Sequence, residues 1–221
     1  MKFSKKELIS IIQKTESFIT PKIKLEQYCI DANCAVDIIY YAGFEYNDIN
    51  NAFIIDLGAG TGRLSIASAF LKANFVLSVD IDILALNTLR RNVLSLGLNH
   101  VIFPICADIE YFEISRRFLP IDMKITTIMN PPFGVQKSFA DRIFLGKSFD
   151  FSDVVYSIHL RNPKVHKFIS NYINQYNWKI DNVLPFNMVL ERTFPFHKKK
   201  LKQINVDVYR FLKKNNKDFD Y

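Results

Sequence analysis

The chain opens on polar residues interrupted by Leu8, Ile11 and Ile12, an i, i+3, i+4 stripe behind the Ser4-x-x-Glu7 pattern of a capping box. This predicts a short amphipathic helix over 4–16. Pro21 breaks the pattern, and a second helix is predicted from about Asp31 to Tyr41, stopped at Gly43. The rhythm then changes. "AFIIDLG" is a continuous apolar run ending at Gly58, as expected of a parallel strand buried on both faces. A helix follows from about Gly62 to Lys72, then a strand "NFVLSVD" ending at Asp80 and a helix "IDILALNTLRRNVLSLG" closed by Gly97. "HVIFPICAD" and "MKITTIMN" predict strands ending at Asp108 and Asn130. "DVVYSIHL" predicts a fifth strand near 153–160, and "NPKVHKFISNYINQY" a helix with Pro163 near its first turn. The last two runs, "WKIDNVLPF" and "QINVDVYRFL", have no helix between them and predict an antiparallel hairpin.

Strands alternating with helices predict an α/β fold built on a mostly parallel sheet, here of seven strands closed by the hairpin. Residues 1–45 read as an N-terminal helical extension and residues 46–221 as the main domain. No internal repeat or low-complexity tract is visible.

Composition changes this picture little. Hydrophobic residues make up 49% of the 221 and charged residues 23%, ordinary usage for a globular chain. No apolar run approaches the ~18 residues of a membrane span, and the basic N-terminus lacks the apolar core of a signal peptide. Cys29, Cys34 and Cys106 form no CxxC pair and no even set. They read as reduced, mostly buried thiols of a cytoplasmic protein. The net charge of +7 does matter, because it favours a polyanionic partner such as RNA.

The first candidate site is "DLGAGTG", placed between a strand and a helix. Gly58, Gly60 and Gly62 permit a tight turn and close approach of a ligand, and Asp80 ends the next strand near the offset expected of a ribose-binding acid. The spacing G-x-G-x-G, with Asp56 just before it, differs from the dinucleotide pattern. An acid there repels a phosphate and can hold an amine. S-adenosylmethionine carries an amine and a sulfonium and no phosphate, so the acidic flank favours it over NAD. Asp80 would take the ribose hydroxyls. Asp108 would take the adenine amine, with the Ile109 backbone completing that edge. His159 and His166 lack acids at ligand spacing and read as structural.

The second candidate is "NPPF" at the end of the fourth strand. Two prolines fix the backbone and hold Asn130 extended. With "DLGAGTG", this motif resembles the Rossmann-like class I methyltransferases that modify planar exocyclic nitrogens. The resemblance implies that the Asn130 carboxamide and the Pro131 carbonyl accept hydrogen bonds from a target NH₂, with Pro132 stiffening the turn and the Phe133 ring stacking on the target plane. The motif alone admits adenine N6, cytosine N4 or a glutamine amide.

"LEQY" (25–28), "IMNPPFG", "VYSIH", "FHKKK" (196–200) and "INVDVYRF" together resemble, in order and over nearly the whole chain, the methyltransferase-like protein 5 family. That family carries out N6-methylation of one adenosine in small-subunit ribosomal RNA. The resemblance implies that Gln27, Gly58, Thr61, Arg63, Asp80, Asp108 and Ile109 line the cofactor site. A family threonine is replaced by Ile30, which leaves a backbone or apolar contact. His197, Lys198, Lys199 and Lys200 would meet RNA phosphates, and the target base would be flipped out to reach Phe133. Eukaryotic members pair along the third strand with a small zinc-binding activator protein, so the resemblance implies an added strand at that edge. The rival readings are a release-factor glutamine methyltransferase, which shares the Asn-Pro-Pro core, and an RNA-binding scaffold without activity.

Overall fold

The computed structural model describes residues 4–118, 122–134, 140–191 and 201–214. Strands β1 (Phe53–Leu57), β2 (Phe75–Asp80), β3 (Ile102–Cys106), β4 (Ile125–Met129), β5 (Val154–Leu160), β6 (Trp178–Glu191) and β7 (Leu201–Lys213) form one sheet in the order β3-β2-β1-β4-β5-β7-β6. The first five strands are parallel, and β7 runs antiparallel between β5 and β6. The strand order reverses between β1 and β4. The connections leaving their carboxyl ends run to opposite sides and open the crevice where such α/β sheets bind ligands.

Helices α1 (Lys5–Gln13), α2 (Ala32–Phe44), α3 (Arg63–Phe70) and α4 (Ile83–Ser95) precede β3, and α5 (Ala140–Phe151) and α6 (Pro163–Ile173) flank β5. Helix α1 starts as its sequence specifies: Ser4 and Glu7 complete a reciprocal capping box. Leu8 and Ile12 then enter the same core as Ile39 of α2 and Ile54 of β1, so the N-terminal helices share one face of the sheet. Trp178, Phe149, Tyr209 and Phe211 pack on the other face.

Two points differ from expectation. Gly43 does not stop α2, which runs on to Phe44. A Cβ on Gly43 would lie 2.9 Å from Leu71 Cδ2, so this glycine serves helix packing rather than helix ending. Helix α5, which the sequence pattern did not announce, connects β4 to β5. Its Gly146 admits the Tyr172 and Tyr176 hydroxyls, again through close packing. Cys106 is exposed, while Cys29 and Cys34 are buried. The hairpin is as expected but longer, with β6 reaching Glu191. Among the described residues no helix is long and apolar enough to cross a membrane.

Candidate active site

The β1–α3 connection sets the floor of a cavity of about 250 Å³. Gly58, Gly60 and Gly62 all have positive φ, and two of them leave no space for a side chain. A Cβ would come 2.9 Å from Phe18 at Gly60 and 2.7 Å from Leu89 at Gly62. The turn is tied to β2: Gly58 N–H donates to the Val79 carbonyl (2.8 Å) and Gly60 N–H to Asp80 Oδ2 (2.8 Å). The second oxygen of Asp80 accepts from Asp82 N–H (2.8 Å). These two backbone donors aim a carboxylate whose pKa burial nonetheless pushes up.

Asp56 lies inside β1 and is almost fully buried. Its carboxyl accepts from the Ser65 hydroxyl of α3, which also bonds Ser78 (2.7 Å). Burial pushes its pKa up to about 7, and the neighbouring Asp80 charge adds to the shift. Asp108 is exposed and follows the end of β3, with Ile109 buried beside it, and both line the cavity.

The roof is an N-terminal strap, residues 16–31, that sequence reasoning credited only with Gln27 and Ile30. Gln27 Nε2 donates to Asp82 Oδ2 (2.8 Å) and its Oε1 accepts from Lys22 N–H (2.7 Å), so its side chain fastens the strap to the N-cap of α4. Lys22 Nζ joins Asp82 Oδ1 (2.7 Å). The Cys29 thiol meets the Thr61 hydroxyl (3.3 Å). The carbonyl of Ile30 accepts from Arg63 Nη1 (2.6 Å), so the backbone contact left at this position goes to Arg63. Phe18, Glu26 and Tyr28 also line the cavity. Two of these three stand inside the quoted "LEQY", which was the available signal for them.

Asn130 and Pro132 form part of the same wall, while Pro131 is buried behind it. The strand of "TTIM" is buried throughout, which gives the loop a rigid base. Phe133 is half-buried, and its N–H donates to Glu26 Oε2 (2.8 Å). Asn130 and Pro132 thus share one cavity with the glycine turn. His197, Lys198, Lys199 and Lys200 lie outside the described residues. His159 is buried, bonded through Nε2 to Ser157 Oγ (2.7 Å), and burial pushes its pKa down to about 3, so it stays neutral. Among the described residues no cluster could hold a metal ion.

The charge of this wall tests the cofactor reading. Five carboxylates line it (Glu26, Asp56, Asp80, Asp108 and Glu110) against two cations, Lys24 and Arg63. The chain as a whole carries +7. A basic protein with an acidic cavity is built against phosphates there and for a ligand that carries positive charge. Arg63 adds a buried Nε without a partner, a donor left over beside the glycine turn and suited to a carboxylate. The donor set fits a methionine-derived sulfonium with amine, carboxylate and ribose groups.

Comparison with known proteins agrees. The rRNA N(6)-adenosine-methyltransferase METTL5 of Danio rerio is 34% identical, over 93% of this chain and 97% of its own length. An uncharacterized protein of Methanocaldococcus jannaschii is 35% identical over 95% and 94%. A Pyrococcus horikoshii protein solved as a candidate RNA methyltransferase superimposes with a TM-score of 0.84 at 37% identity, covering 96% of this chain and 99% of that one. The chain belongs to the METTL5 family. It is thus a methyltransferase, and use of S-adenosylmethionine follows from that family and fold. A family model for the ribosomal protein L11 methyltransferase also matches residues 43–114. That stretch holds the glycine turn and Asp80 and ends before Asn130.

Proposed function

We propose that this protein methylates N6 of an adenosine in small-subunit ribosomal RNA, with the base flipped out of its stack. The observation that carries the reading is that Asn130 and Pro132 stand in the wall of the acidic cavity, so an amide acceptor and the cofactor space adjoin. The METTL5 names of the relatives favour adenosine and ribosomal RNA.

S-adenosylmethionine, when bound, supplies an activated methyl group. Asp80 would hold the ribose, Asp56 the amine, Arg63 the carboxylate and Asp108 with Ile109 the adenine. The protein's remaining work is positioning, which supplies much of the rate when the electrophile is already activated. An aromatic amine delocalises its lone pair into the ring and is a poor nucleophile. Acceptors at Asn130 and Pro131 would fix both N–H bonds and turn the lone pair toward the cofactor side. Asn130 cannot take up a proton, so the target proton leaves after transfer. Phe133 would hold the base plane, and the 197–200 cations would track RNA phosphates.

Strand β3 is an edge strand with Phe103 and Ile105 exposed, and the Phe103 ring continues a row through Phe75 to Phe53. An uncovered apolar edge invites strand addition, and we assign it to a small zinc-binding activator protein. The free thiols suit a reducing compartment, and we place the protein in the cytoplasm.

The test is transfer from labelled S-adenosylmethionine to deproteinised small-subunit RNA or to a release factor. Label on RNA, lost in Asn130→Ala with cofactor affinity kept, is expected. Label on the peptide alone would overturn the proposal.

A further inference from the structure

Two strap side chains reach the tetrapeptide. The Tyr28 hydroxyl donates to Asn130 Oδ1 (3.3 Å), and its ring centroid lies 5.6 Å from that of Phe133 at 31°. Two residues earlier, Glu26 accepts from the Phe133 N–H. Glu26 holds a left-handed backbone (φ 50°, ψ 39°), which non-glycine residues adopt at a cost. That conformation ends the 3-10 turn Ile23–Leu25 on the side of the strap that touches Phe133. The strap therefore braces the target loop from a direction that β4 does not cover.

A carboxamide has a problem that the strand cannot solve. Rotation by 180° exchanges its oxygen for its NH₂ with almost no change of shape. In the wrong orientation Asn130 would present donors to a target that is itself a donor. We infer that Tyr28 is a positioning residue for methyl transfer: its hydroxyl fixes Asn130 with the oxygen toward the target amine, and its ring covers the face of Phe133 that the target base does not use. This rests on the reading of Asn130 as the acceptor for the target NH₂.

The chemistry supports each half. A phenol is a better donor than acceptor, because its lone pair is drawn into the ring, so it prefers the amide oxygen to the amide nitrogen. An amide oxygen has two lone pairs, and the bond to Tyr28 leaves one for the target N–H. Burial pushes the Tyr28 phenol well above its ordinary range, so the donor proton is always in place. A flat base sandwiched between two rings needs about 7 Å between their planes. The observed 5.6 Å leaves no such room, so the base is assigned to the opposite face of Phe133.

Tyr28→Phe keeps the ring and removes only the hydroxyl. We expect kcat on small-subunit RNA to fall about tenfold, the effect of one oriented hydrogen bond. The KM for RNA and the cofactor affinity should stay within about twofold. Tyr28→Ala should lower kcat further and raise the KM for RNA. In an Asn130→Asp background both side-chain atoms are oxygens and orientation no longer matters, so Tyr28→Phe should cost less than twofold. A wild-type kcat in Tyr28→Phe overturns the inference, as does a loss confined to cofactor affinity or an undiminished effect beside Asn130→Asp. Asn130→Ala separates the two levels. If it retains transfer, the acceptor reading fails and Tyr28 falls with it. If it is inactive while Tyr28→Phe is normal, the inference alone fails.

Discussion

Replacing Asp56 by Asn tests whether the acidic wall stores a pH-dependent cost. Burial holds the Asp56 carboxyl at about 7 in the folded protein, against 3.8 for an ordinary aspartate. The folded state therefore binds more protons than the unfolded chain between about pH 4 and pH 7, and stability falls as pH rises through that window. The difference of about 3 pKa units, at about 1.4 kcal/mol each, sets a ceiling of about 4 kcal/mol. Water entering the cavity beside Asp56 reduces it, and half that figure moves the melting temperature of a chain this long by about 6 °C. Asn keeps an oxygen for the Ser65 hydroxyl and cannot ionise. Any cost of its new N–H groups is the same at every pH. The assay is thermal unfolding of both proteins, cofactor-free, from pH 5 to pH 8.5. The melting temperature of Asp56→Asn relative to wild type should rise by several degrees across the range. Parallel curves would refute the reasoning and assign Asp56 an ordinary pKa.

Other expectations concern separate parts of the molecule. Asp48 is buried in the α2–β1 connection and accepts from Arg210 Nε (2.9 Å), from the Tyr156 hydroxyl (2.7 Å) and from Lys124 (2.9 Å). Arg210→Met strands that charge and should cost about 3–5 kcal/mol in urea unfolding; a loss under about 1 kcal/mol would show that Lys124 alone suffices. Gly60→Ala, at φ 55° with Phe18 2.9 Å from the new carbon, should weaken cofactor binding at least about tenfold by calorimetry. Joint replacement of Lys198, Lys199 and Lys200 by Ala should weaken RNA binding and flatten its salt dependence, and an unchanged slope would free these lysines of that role. Phe103→Asp should stop a co-expressed zinc-binding activator from co-purifying; continued co-purification would move the contact away from β3.

The sheet was legible because its strands are apolar runs ended by Gly58, Asp80 and Asn130, and strand ends are where this fold binds ligands. The hairpin was legible because no helix pattern separates its two runs. Helix α5 was not, because Gly146 and an uneven spread of aromatics blur its period, and its glycine is explained only by two tyrosines from α6 and the turn after it. The glycine turn and the tetrapeptide were readable as local motifs. Glu26 and Tyr28 had a signal only as members of "LEQY" and Phe18 had none, because their contacts go to residues far along the chain, and spacing along a sequence does not report those. Asp56 lines the cavity, but its partner Ser65 could not be foreseen from either residue alone.

The strap also sets an order of assembly. Its fastenings lie far downstream: Asp82 comes 55 positions after Gln27, Asn130 comes 102 after Tyr28, and Val189, whose N–H donates to Asp31, comes 158 after its partner. A ribosome has delivered the strap well before it delivers these three partners. Contacts of such long range form late and slow folding. The nascent chain must carry an open cofactor crevice until β4 has emerged, and an unanchored α2 N-terminus until β6 has. The strap, among the first segments made, is among the last to be fully fastened.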